Sequence, residues 1–130
     1  MVKAIRVIVL FGLLLTALIA CGSAKEANLD ADDDGSQVEL KSDQTLVISL
    51  EGNKTTGYTW EVAEVDEGVL RQVGEVEFEP EDTGNVGVGG VQILRFEAVN
   101  SGQTSLDLVY HRSWEDEKPL KTFSVQVVVP

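Results

Sequence analysis

From Val38 to Val129 apolar residues return at every second position. The runs are Val38 and Leu40; Leu46, Ile48 and Leu50; Tyr58, Trp60 and Val62; Leu94, Phe96 and Ala98; Leu106, Leu108 and Tyr110; and Phe123, Val125, Val127 and Val129. A period of two sends alternate side chains to opposite faces of a strand, and no stretch here sustains the three-to-four spacing of a helix. Between the runs stand turn residues: Ser42-Asp43, Gly52 to Gly57, Gly87-Val88-Gly89-Gly90, Asn100-Ser101-Gly102, and the segment from His111 to Pro119. Leu70 to Phe78 alternates less cleanly and reads as an edge strand bulged at Gly74. Short strands at this spacing predict an all-β protein, a β-sandwich of about seven strands.

Upstream the pattern changes. Residues 1–20 place Lys3 and Arg6 before an apolar run from Val7 to Ala20, the layout of a secretory leader. The run closes Leu18-Ile19-Ala20-Cys21, which resembles a bacterial lipobox, in which the cysteine is acylated and becomes the mature first residue. Lipidation at Cys21 would hold the protein outside the cytoplasm, on a bacterial membrane or cell surface. The plainer alternative is an uncleaved anchor, for which the run is short. Residues 21–36 are small, polar and acidic, with Leu29 the one large apolar side chain, and read as a flexible tether ahead of a domain at 37–130. Within it, Asp30 to Gly35 fits the first half of a calcium loop. The bidentate Glu that such a loop needs at its twelfth position is replaced by Lys41, so a solvated linker is expected and no metal.

The formal charge is −12; losing residues 1–20 removes two cations and no acid, leaving −14. Nucleic acid and anionic lipid headgroups would be repelled by such a surface. Cys21 is the only cysteine, so the core must hold without an intramolecular disulfide. His111 is the only histidine and reads as an exposed loop residue, too isolated for a Ser–His–acid site; several His or Cys ligands, as zinc would want, are absent. No enzyme and no cofactor are expected. Trp60 sits within the alternation and belongs to the core. Trp114 lies among Arg112, Ser113, Glu115 and Asp116, outside any alternation, where an exposed indole is a natural anchor for a protein partner. The residues alone describe a monomeric, tethered sandwich that binds through loops at one end, which an adhesion or scaffold module would also satisfy.

Three segments narrow this. The first loop, Asn53-Lys54-Thr55-Thr56-Gly57-Tyr58, resembles the N-P-T-T-G-Y/F motif of the chagasin family of cysteine-peptidase inhibitors, with Lys54 in place of proline. Gly87, Gly89 and Gly90 match the family's G-x-G-G, and Arg112 and Trp114 match its R-P-W with Ser113 in place of proline. The resemblance runs from Val38 to Val129. It implies an immunoglobulin-like inhibitor of papain-like peptidases whose three loops enter the active-site cleft uncut. Thr55 and Thr56 would approach the peptidase's catalytic pair, with Gly57 allowing close backbone contact. Gly89 and Gly90 would offer main chain on one side, and Trp114, positioned by Arg112, would pack on the other.

Overall fold

The computed structural model describes residues 25–80 and 89–130. Among them the alternation resolves into nine strands and no α-helix: β1 Glu26–Leu29, β2 Gln37–Glu39, β3 Thr45–Gly52, β4 Thr59–Glu64, β5 Leu70–Gln72, β6 Glu77–Pro80, β7 Gly90–Ala98, β8 Gly102–His111 and β9 Lys121–Val129. One sheet runs β1-β3-β7-β5, with β6 also on β7; the other runs β2-β9-β8-β4. Both are mixed, because β1 pairs with β3 and β2 with β9 in parallel.

The core is the meeting of the two apolar faces. Leu46, Ile48 and Leu50 of β3 and Leu94 and Phe96 of β7 face Leu106, Leu108 and Tyr110 of β8 and Phe123, Val125 and Val127 of β9, all buried. In-register pairs such as Ile48 with Leu94 and Leu108 with Phe123 put large side chains side by side on each inner face. Trp60 is 3% exposed and donates its indole N–H to the carbonyl of Glu51 at 3.0 Å, which satisfies its one polar atom inside the sandwich.

Nine strands stand where about seven were expected, for two local reasons. Gly74 has φ +70, a turn that L side chains resist; it divides the predicted edge strand into β5 and β6. The second reason corrects the reading of the tether within its described part, residues 25–36. Glu26 to Leu29 align with Thr45 to Ile48, and Ala27 and Leu29 pack against the core. Asp30 then caps a one-turn 3-10 helix at Ala31–Asp33, its carboxylate accepting from the Asp32 N–H while Asp33 returns the favour to the Asp30 N–H. The Gly35 N–H bonds the Ser124 carbonyl at 2.7 Å and the Asp34 carboxylate accepts from the Ser124 N–H at 2.8 Å. The acidic run thus stitches the edge of one sheet to the edge of the other. Among the described residues no group of three or more His, Cys, Asp or Glu is arranged to hold a metal ion.

Candidate functional site

The loop between β3 and β4 is folded on itself by its first residue. Oδ1 of Asn53 accepts from the N–H of Thr55 at 3.1 Å and from its hydroxyl at 2.6 Å, while the Asn53 carbonyl accepts from the N–H and hydroxyl of Thr56. This winds Lys54–Thr56 into a 3-10 turn, with Thr55 and Thr56 exposed at its crest. Gly57, at φ +81, reverses the chain so that Tyr58 turns back toward the sandwich.

Both ends of the loop are then fastened to β8. Tyr110, whose ring is buried, accepts from the N–H of Asn53 through its hydroxyl at 2.9 Å. Its ring lies 5.3 Å from that of Tyr58 and 5.2 Å from that of Trp60. Contacts of this kind stiffen a loop before any partner arrives, so less entropy is lost on binding.

The loop between β8 and β9 docks on the first. Arg112 donates through Nε to the carbonyl of Thr56 at 3.0 Å and through its outer nitrogen to Glu115 at 2.9 Å, and its guanidinium sits 4.5 Å from the centre of the Tyr58 ring. The Glu115 carboxylate raises the pKa of this guanidinium, partly offset by desolvation, so the charge is held more firmly than in a free arginine. Trp114 comes against Gly57 and remains 69% exposed. An indole propped in place yet open to solvent has already been ordered at little further cost.

The middle loop is described only at its end. Gly87 lies outside the described residues. Gly89 is half-buried next to the first loop's root, and a cleft of about 230 Å³ opens there between Gly52, Asn53, Gly89 and Tyr110. Gly90, expected to offer main chain to a partner, is the buried first residue of β7. A Cβ there would press on the Glu79 carbonyl and stand 2.9 Å from Cα of Pro80, so the pairing with β6 itself requires a glycine here. His111, expected in an exposed loop, instead ends β8 half-buried, with Nε2 3.1 Å from a Glu61 carboxylate oxygen. Cys21 lies outside the described residues.

Asn53, Thr55, Thr56, Gly57, Tyr58, Gly89, Arg112 and Trp114 therefore lie together at one pole. Tyr110, whose hydroxyl accepts from Asn53, and Gln92, whose amide bonds the Tyr58 carbonyl and the Trp60 N–H, carry no motif that marks them as site residues. The signal for Gln92 was present: an amide on the same face as Leu94 and Phe96, where an apolar residue belongs.

A model of the family described as chagasin family peptidase inhibitor I42 matches residues 39–127. The chain belongs to that family. Amoebiasin-1 of Entamoeba histolytica is 29% identical over 102 residues, which cover 78% of this chain and 98% of that one. Amoebiasin-2 of the same organism is 26% identical over 102 residues, covering 78% and 83%. The crystal structure of EhICP2, a cysteine protease inhibitor from Entamoeba histolytica, superposes with a TM-score of 0.72 at 24% identity, covering 81% of this chain and 96% of that one. The chagasin-family sandwich is thus common to chains that share only about a quarter of their residues.

Proposed function

We propose that this chain inhibits papain-like cysteine peptidases reversibly, by seating the loops at 53–58, 87–90 and 112–114 in the active-site cleft. The observation that carries this reading is the contact between the first and third loops. Arg112 and Trp114 clamp Thr56 and Gly57, so a narrow crest of small side chains stands beside an exposed indole at one pole of a rigid sandwich. Thr55 and Thr56 would reach the catalytic cysteine and histidine, Gly89 would present main chain on one flank, and Trp114 would pack on the other.

The same geometry supports inhibition without cleavage. A peptide is cut when it lies extended across the cleft, whereas Asn53 holds this crest in a 3-10 turn by bonds to both threonines. No catalytic role falls to the chain itself. Upstream, Cys21 would carry a lipid that tethers a monomeric inhibitor outside the cytoplasm of a bacterium. Titrating papain and a cathepsin L-like peptidase with the full chain tests the reading: dose-dependent inhibition with the chain recovered uncut is expected, and its absence with a folded chain would overturn it.

A further inference from the structure

Gln92 takes a core position in β7 and is 2% exposed, opposite Leu50 on β3. Its side chain extends along the inner face past Gly52, where a Cβ would stand 2.7 Å from Nε2 and 2.8 Å from Cδ. The amide then crosses to the other sheet. Oε1 accepts from the N–H of Trp60 at 2.8 Å and from the hydroxyl of Thr59 at 3.4 Å, and Nε2 donates to the carbonyl of Tyr58 at 3.3 Å. Donating to one residue's carbonyl and accepting from the N–H two positions on is what the main chain of one residue on a neighbouring strand does in a parallel ladder. β4 is the edge of its sheet, and its outer side at Tyr58–Trp60 has this side chain in place of a strand.

We propose that Gln92 is the positioning residue of the first loop in peptidase inhibition. It fixes the exit of the loop as Tyr110 fixes its entry, and Gly52 lacks a side chain so that the amide can pass. The role in inhibition rests on the inhibitor reading above; the hold on the loop does not. Replacing the amide by an apolar chain of equal length leaves the Tyr58 carbonyl and the Trp60 N–H without this partner, and the crest loses its fixed height.

The test compares Gln92→Met, Gln92→Glu and Gly52→Ala in the full chain, reading papain inhibition, melting temperature and native-state amide exchange. The inhibition constant is expected to rise about tenfold for Gln92→Met and for Gly52→Ala. Exchange should quicken at Thr55–Tyr58 and stay unchanged in β8 and β9, with each variant folded at the assay temperature. Gln92→Glu supplies a readout that loss of packing would not: a protonated carboxyl can both donate and accept, as the amide does. Its deficit relative to the parent should shrink as pH falls from about 7 toward 5. Unchanged inhibition by a folded Gln92→Met, or unchanged exchange at Thr55–Tyr58, would overturn the proposal. Should Gln92→Met not fold, Gly52→Ala decides by the same two readouts, since its methyl displaces the same amide. A parent chain that inhibits no papain-like peptidase overturns the inhibitor reading instead, and the exchange data still read whether Gln92 holds the loop.

Discussion

Gly57 and Trp114 share a space that only one side chain can fill: a Cβ on Gly57 would stand 2.6 Å from Cη2 of Trp114 and 3.1 Å from Cζ2. The glycine is doubly required, since its φ of +81 also disfavours any L side chain by about 1 kcal/mol. Gly57→Ala should displace the indole and weaken papain inhibition by at least about tenfold. Tryptophan fluorescence gives an independent check, because Trp60 is buried and any change in an exposed emitter reports Trp114.

Trp114→Ala separates binding from folding. With 69% of Trp114 exposed, its removal should leave the melting temperature within about 2 °C of the parent. The inhibition constant should nonetheless rise by about tenfold to a hundredfold, the behaviour of an interface anchor. Parallel melts and inhibition titrations on one preparation decide it.

Arg112 should not tolerate lysine. A lysine can carry the charge but cannot reach the Thr56 carbonyl and Glu115 together in one plane while lying over Tyr58. Arg112→Lys is expected to weaken inhibition about as much as Arg112→Ala, with exchange quickening at Gly57 and Tyr58. The raised pKa also sets a pH expectation. A cation whose folded pKa exceeds its unfolded value contributes fully below the unfolded value and is lost only as pH rises through the folded one. For a guanidinium that window lies in strong alkali, so the clamp should persist unchanged across the neutral and mildly alkaline range.

A chain cut back to begin at Gln37 should be markedly less stable than one beginning at Lys25. It loses β1, its contacts from Ala27 and Leu29 to the core, and the capped turn that joins the two sheets, and it bares the edge of β3. A loss of about 2 kcal/mol would lower the melting temperature by roughly 10 °C. Differential scanning calorimetry of the two chains measures this directly.

How far the molecule could be read in advance depended on where the information was stored. The sandwich was legible because strands buried on one face repeat their apolar residues locally, as Leu106-x-Leu108-x-Tyr110 does. β1 was not, since an edge strand needs only Ala27 and Leu29 turned inward and its acids look like a linker. The residues of the first and third loops were legible as motifs, but the bond from Arg112 to Thr56 joins positions 56 apart and exists only through the pairing of β4 with β8. Gln92 shows the same limit more sharply. Its place in the alternation marks it as odd, while the groups that satisfy it, around Trp60, lie 32 residues away.

The parallel pairing of β1 fixes a polarity. Glu26 sits beside Thr45, at the end of β3 remote from Gly52, and Val129 pairs with Gly102 at that same remote end. Eight residues of β3 separate the two poles by roughly 25 Å. Chain joined ahead of Lys25 therefore enters at the pole opposite the loops. Anything joined directly at Lys25 and anything seated on the loops would therefore have the whole length of the sandwich between them.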